Sequence, residues 1–181
     1  MKIICISGKA RSGKDTSATL LQDYFEEKGK KVLVTHYADL LKFILKNFFN
    51  WNGEKDEHGR HLLQYVGTDI IRNQQPDYWV DFLINLFTLL KDEWDIILIP
   101  DARFPNEVDR FKESGFDTTC IRIERPFNDN GLGNLANHSS ETSMDRYDFD
   151  KVFCNLGTIN DLKLSLIEYF ENKEACLSDM S

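Results

Sequence analysis

The chain is 181 residues long, 41% hydrophobic with 13 Phe, and carries a net charge of −8, enough apolar content for one packed core over 1–181 with no Pro-, Gly- or Ser-rich linker dividing it. The acidic balance argues against binding a nucleic acid polymer, which needs a broad basic surface, but is compatible with a local positive cleft for small anions. No apolar run nears the roughly 20 residues that span a membrane, and a core strand from residue 3 leaves no room for a signal peptide, so a cytoplasmic protein without a membrane partner is expected.

The first element is the apolar run Ile3-Ile-Cys-Ile6, a strand over 3–7, followed by Gly8-Lys-Ala-Arg-Ser-Gly-Lys-Asp-Thr16. This is a phosphate-binding loop of the Walker A type, joining strand to helix. Glycines at both ends let the backbone curl until its N–H groups converge on phosphate oxygens, and Lys14 brings a charge to the β- and γ-phosphates. Gly8, Arg11, Ser12, Gly13, Lys14, Asp15 and Thr16 are therefore the expected ATP-binding set. The Ser or Thr that usually follows the Lys is Asp15, whose carboxylate suits a hard cation such as Mg2+ directly or through a water. Leu20, Leu21, Tyr24 and Phe25 then recur at helical spacing over 16–28.

Further strands are expected over 31–36, 95–100, 118–124 and 151–155, with helical patterns between most of them. That alternation predicts a parallel five-stranded α/β sheet covered on both faces. An insert over about 39–92 holds three helices: Asp39 caps one over 40–49, and the others cover 60–72 and 78–91. In the second, Arg60, Gln64, Thr68 and Arg72 recur every four residues, a stripe that on spacing alone is the solvated side of an amphipathic helix. Lys42 stands between a snorkelling surface Lys and a phosphate contact.

Ile96-Ile-Leu-Ile99-Pro100-Asp101 is an apolar strand ending in a carboxylate, the Walker B pattern. Asp101 either holds magnesium through its waters or caps the turn. In Arg103-Phe-Pro-Asn106-Glu107, Arg103 is suited to grip a phosphate bidentately, Phe104 to pack on a base and Asn106 to read a base edge. The alternative is that Phe104 and Pro105 start a helix with an acidic first turn. Arg122 and Arg125 lead into a lid loop over about 126–147, and Arg125, nearer the loop, is the candidate for neutralising a phosphoryl group in flight. Within it the Ser140-Glu141 region caps and starts a short helix, in preference to His138 acting as a general base. The four histidines lack zinc spacing. Cys5, Cys120 and Cys154 read as small core residues and Cys176 as an exposed thiol.

Taken together, the chain resembles the phage-type deoxynucleoside monophosphate kinases, a branch of the P-loop kinases. The resemblance rests on Ser7-Gly-Lys-Ala-Arg-Ser-Gly-Lys-Asp-Thr16, Tyr37-Ala-Asp39 with Lys42, Leu63-Gln64 with Gly67-Thr-Asp and Arg72, Trp79 with Val80, Asp101-Ala-Arg-Phe-Pro-Asn-Glu107, His138-Ser-Ser-Glu141 and, more weakly, Asn155-Leu-Gly-Thr158. Asp after the loop Lys is usual in that family; Ser139 stands where it often has Pro. The resemblance implies a three-layer α/β/α P-loop kinase fold with a helical acceptor-binding insert and a lid. It implies ATP at 8–16 with Asn155 near the adenine, magnesium near Asp15 and Asp101, and the acceptor near Lys42, Arg72, Trp79 and Arg103. It also moves Gln64 and Arg72 from the solvated stripe into the site.

The expected reaction is transfer of the γ-phosphoryl of ATP to a deoxynucleoside 5′-monophosphate, giving the diphosphate and ADP, with Lys14, Arg103 and Arg125 catalytic and Arg11 as a second candidate beside Arg125. The alternatives are a P-loop kinase of another phosphorylated small molecule, such as phosphomevalonate, and a non-kinase ATP-binding regulatory module. A homodimer is compatible with either.

Overall fold

The structure is a computed structural model that describes residues 1–126 and 138–178, so 127–137 of the expected lid lie outside it. Its centre is β1 (Lys2–Ser7), flanked by β3 (Ile96–Ala102) and β4 (Asp117–Glu124), with β2 (Val32–Val34) and β5 (Lys151–Cys154) outermost. All pairings are parallel, and the order is β2-β3-β1-β4-β5.

Strand alternation divides the core in two. Ile3, Cys5, Ile97 and Ile99 face one side, while Ile4, Ile6, Leu98 and Ile121 face the other. The first face is covered by α2 (Ala38–Phe48), α4 (Tyr78–Leu89) and α5 (Asn106–Glu113), through Leu41, Leu45, Val80, Leu83, Phe87, Val108 and Phe111. The second is covered by α1 (Lys14–Glu27) and α7 (Ile159–Ser178), through Leu21, Phe25, Leu162, Leu166 and Phe170. Burial on both faces explains why the central strands read as continuous apolar runs. The result is the expected three-layer α/β/α sandwich.

Several boundaries differ from the sequence reading, each for a local reason. β2 is only three residues long, an edge strand with half-buried side chains. β3 runs past Pro100 because the chain bulges there: Cys5 pairs with Ile99 but Ser7 with Ala102, one residue out of step. Proline has no amide for the ladder, and such a bulge re-aims the neighbouring side chain, here Asp101. Asp39 does not cap α2. It lies in the first turn and accepts from the His36 N–H at 3.0 Å.

The helix expected over 60–72 starts earlier, as α3 (Glu57–Gln64), where Asp56 is the N-cap and accepts from the Gly59 N–H at 2.7 Å. It then widens into a π-helical segment, Tyr65–Arg72. Within it the indole N–H of Trp79 donates to the Gly67 carbonyl at 3.0 Å. Gly67 also lets this segment touch α2, since a Cβ there would lie 2.5 Å from Leu41 Cδ2.

The short helix α6 (Ser139–Thr142) forms as expected, but its cap is the His138 ring, which accepts from the Ser140 N–H at 3.2 Å. Cys5 and Cys120 are buried, whereas Cys154 is exposed at the sheet edge instead of in the core. Burial pushes the Cys5 thiol up to about 12, so it is inert near neutrality. No described helix is long and apolar enough to cross a membrane.

Phe25 is fully buried and meets Phe170 edge-on with 5.6 Å between ring centroids, tying α1 to α7. Phe25→Ala is expected to lower unfolding stability by about 3–5 kcal/mol, read from urea midpoints, with the cost falling on the helix that carries the phosphate loop. A loss near zero would mean that the α1–α7 layer contributes little.

Candidate active site

At the carboxyl end of β1 the chain enters the phosphate loop. Gly8 has φ of 149° and passes so near the Ile123 carbonyl that any side chain would collide with it. Gly13, with φ of 107°, starts α1 from a left-handed conformation, and Arg11 is also left-handed at 60°. The Ser12 N–H donates to the Lys9 carbonyl at 3.2 Å, and Asn155 Nδ2 donates to the Ser12 carbonyl at 2.9 Å. Asn155 therefore braces the loop from behind. Lys14 folds inward and donates to the Lys9 carbonyl at 2.8 Å. Burial, aided by the nearby Arg103 charge, lowers its pKa to about 8.

The floor is set by Asp101. Its Oδ1 accepts from the Tyr37 N–H at 3.0 Å and its Oδ2 from the Ala38 N–H at 3.1 Å, so this carboxylate caps α2. Beside it His36 links Asp15 (Nε2 to Oδ1, 3.5 Å) to Asp39 (Nδ1 to Oδ2, 3.3 Å), and Asp39 holds Lys42 at 2.8 Å. The bond to Asp15 raises the His36 pKa and lowers that of Asp15. Sequence reasoning missed His36 because a lone His after a short strand has no pattern to mark it.

The wall opposite is organised by Glu107, in the first turn of α5 and buried. Its Oε2 accepts from the backbone N–H groups of Arg103 (2.7 Å) and Phe104 (3.1 Å), and its Oε1 pairs with the Arg72 guanidinium. Arg72 lies 3.8 Å above the centroid of the Phe104 ring and also donates to the Pro76 carbonyl and Asn106 Oδ1. Arg103 pairs with Glu141 and donates to the Ser140 carbonyl at 3.1 Å, which ties it to α6. Burial pushes the Glu107 carboxyl up to about 7, against the pull of Arg72.

These surfaces enclose a cleft of about 350 Å³. Lys14, Asp15, Arg11, Lys42, Gln64, Arg72, Trp79, Asp101, Arg103 and Phe104 all line it, as do His36, Lys55, Arg60, Thr68, Ser140 and Glu141. The stripe at 60, 64, 68 and 72 thus faces the cleft and not solvent, because the widened turn keeps residues four apart nearly in line. Seven Lys/Arg against four Asp/Glu make a positive pocket in an acidic chain.

Asn106 is not on the cleft wall. Its Nδ2 is held by the Pro76 carbonyl (2.9 Å) and Asp77 Oδ1 (2.7 Å), so it steadies Arg72 from behind. Arg125 lines a separate groove with Lys9, Ala10 and Ser12, and the inner Arg122 is held by Glu124 and Asp145. Trp79 is buried, with its indole N–H committed to Gly67. Among the described residues no cluster of three or more His, Cys, Asp or Glu side chains forms a metal site.

A parallel sheet with a phosphate loop at the end of its central strand, a buried loop Lys and a positive cleft beyond the strand ends defines a P-loop kinase. Solved structures agree in fold: an APS kinase from Mycobacterium tuberculosis superposes with a TM-score of 0.55 at 15% identity, covering 94% of this chain and 97% of that one. A gluconokinase from Sinorhizobium meliloti gives 0.56 at 11%, covering 99% and 97%.

Residues 26–166 match the deoxynucleotide monophosphate kinase family, and the chain belongs to it. It is a nucleotide kinase. A candidate deoxynucleotide monophosphate kinase of Acanthamoeba polyphaga mimivirus is 29% identical, covering 95% of this chain and 97% of its own length. The deoxynucleotide monophosphate kinase of Enterobacteria phage T4 is 30% identical over 140 residues, which are 76% of this chain and 54% of that enzyme.

Glu107 supplies a pH test. Its folded pKa lies above the unfolded value, so its stability contribution is full below about 4.5 and is lost as pH rises through about 7. The urea midpoint of the wild type is expected to fall relative to that of Glu107→Gln between pH 5 and pH 8. Parallel profiles would show that the carboxyl stays ionised throughout.

Proposed function

We infer that this chain transfers the γ-phosphoryl group of ATP to the 5′-phosphate of a deoxynucleoside monophosphate. An acceptor phosphate oxygen forms the new P–O bond as the bond to the ADP β-phosphate oxygen breaks. The observation that carries this is the convergence of Lys14, Arg103 and the Phe104-stacked Arg72 on one cleft beyond the strand ends. Family membership favours this acceptor over phosphomevalonate or a regulatory module without transfer.

With no bond to make to the protein, catalysis consists of positioning and charge neutralisation. The loop amides and Lys14 hold the donor phosphates. Arg103 and Arg72 hold the acceptor phosphate with the donor edges left free by Glu141 and Glu107, and the Phe104 ring offers an apolar face near the nucleoside. Arg11, on the cleft, is better placed than Arg125 to neutralise the group in flight. Lys42 adds charge at the rim.

The donor set fits magnesium. Asp15 is 87% exposed in the first turn of α1, and each Asp101 oxygen accepts one amide, leaving lone pairs for waters of a hydrated cation. Bound there, magnesium would offset charge on the β- and γ-phosphates.

The direct test is ADP release from ATP and magnesium with a panel of dNMPs, rNMPs, phosphomevalonate and no acceptor. Stimulation by at least one dNMP is expected; stimulation by phosphomevalonate alone, or by nothing, would falsify the assignment. Lys14→Ala should lower kcat by about a thousandfold or more with unchanged circular dichroism. Because Lys14 in the free enzyme titrates near 8 and is charged only below that, kcat/KM for ATP should fall as pH rises through about 8. A flat profile to pH 9.5 would mean that the ammonium is not required.

A further inference from the structure

In the transfer inferred above, the phosphoryl donor is gripped by the loop after β1 and the acceptor by Arg103 after β3. Reaction needs the two phosphates in register, so the place of one grip relative to the other matters more than either alone. Adjacent strand ends, with Ser7 paired to Ala102, set the two backbones. The Arg103 guanidinium, at the end of a long side chain, takes its place instead from Glu141 and the Ser140 carbonyl. That turn is in its own right tied back to the phosphate loop by Lys9, which the transfer above does not use. The Lys9 ammonium donates to the Glu141 carbonyl and pairs with Asp145, 2.7 Å from Oδ1 and 2.8 Å from Oδ2. Asp145 is fixed to α6 by its own N–H, which donates to the Thr142 carbonyl at 3.0 Å. It is fixed to β4 by the buried Arg122, which reaches its Oδ1 at 3.1 Å and the Met144 carbonyl at 2.9 Å. The backbone carbonyl of Lys9 meanwhile receives Lys14 Nζ at 2.8 Å. Lys9 therefore touches the loop lysine at one end and the partner of Arg103 at the other.

We propose that Lys9, with Asp145 and Arg122, is a positioning residue for the transfer: it holds Glu141, and through it the Arg103 guanidinium, in register with the phosphate loop. This rests on the kinase reading above, in which Arg103 grips the acceptor phosphate. An exposed ion pair contributes little to stability, and the side chains of Lys9 and Asp145 are 39% and 42% exposed. What the pair supplies is direction, since the three ammonium hydrogens meet three oxygens of this turn. The void between the loop and the turn, bounded by Gly8, Lys9, Arg103, Arg122, Glu141 and Asp145, is about 10 Å³, room for at most one water, so the turn seats directly on the loop. Displacing the guanidinium by about 1 Å would cost about a hundredfold in rate.

The test uses Lys9→Met, Lys9→Arg, Asp145→Asn and Arg103→Ala in the full chain. Calorimetry gives Kd for ATP and the dNMPs, and steady-state kinetics give kcat and KM. Proton–nitrogen spectra follow the Arg103 Nε–H signal, assigned by its loss in Arg103→Ala, and need no turnover. Lys9→Met should lower kcat/KM for the acceptor about ten- to hundredfold and Asp145→Asn about three- to tenfold, both shifting the Arg103 signal. The Kd for ATP in Asp145→Asn should stay within about twofold of wild type. Lys9→Arg, which keeps a cation within reach of Asp145, should recover most of the loss. Added to Arg103→Ala, Lys9→Met should cost the acceptor less than about twofold more, because the two residues act in one chain. Losses that multiply in full overturn the proposal, as does an unmoved Arg103 signal. Loss of ATP binding in Lys9→Met with Asp145→Asn unaffected also overturns it, and makes Lys9 a contact of the phosphoryl donor. If Lys9→Met does not fold, Asp145→Asn carries the same comparisons. A wild type that neither binds nor is stimulated by any dNMP counts against the acceptor assignment instead, and the Arg103 signal still decides whether Lys9 holds it.

Discussion

One buried carboxylate holds a whole wall of the cleft together. Glu107 accepts from the backbone of Arg103 and Phe104 and pairs with Arg72, thirty-five residues earlier in the chain. Its own carbonyl takes the Tyr37 hydroxyl, so the start of α2 hangs on the same residue. Removing one member of such a buried pair typically costs about 3–5 kcal/mol, because the other's polar groups are left buried without their partner. The site is therefore not a set of independent side chains on a scaffold. The loop after β3, the π-helical segment and the end of β2 are fixed relative to one another by this contact.

The same pattern of acid against base recurs around the cleft. Arg103 has Glu141 and Lys42 has Asp39. An acidic protein that binds polyanions faces a conflict between its overall field and its local one, and close pairing resolves it. Each cation is held in place by a carboxylate before substrate arrives, which limits the side-chain entropy lost on binding.

Much of this was legible in the sequence. The strands, the phosphate loop and the lysine within it follow from apolar runs and glycine spacing, both local signals. Arg72 and Gln64 were recoverable only through family resemblance, since four-residue spacing on an ordinary helix points to solvent. The π-helical segment, held at Gly67 by Trp79 and against Leu41, turns that stripe to the cleft. The cap of α2 passes from Asp39 to Asp101 for a related reason: it comes from a strand 64 residues further on than Tyr37, brought close by a bulge at Pro100. For Asn106 the sequence leaves a base edge and a plain helix start both open, and the Pro76–Asp77 turn claims its amide. No pattern within the chain reports such long-range partners.

The widened helix also bears on how this segment tolerates change in length. In an ordinary helix each residue advances the side chain by about 100°, whereas a π-turn fits one extra residue into the same full rotation, so losing one residue there restores regular geometry with the flanking residues still in phase. Here the residue at the far end is Arg72, stacked on Phe104 and bound to Glu107. A single deletion between 65 and 72 would therefore keep the guanidinium on the same side of the helix, while a deletion in the regular turns of α3 before it would rotate the guanidinium away. The widened stretch is thus the part of this insert in which the residue count can change by one, just as residue type can change at exposed positions such as Tyr65.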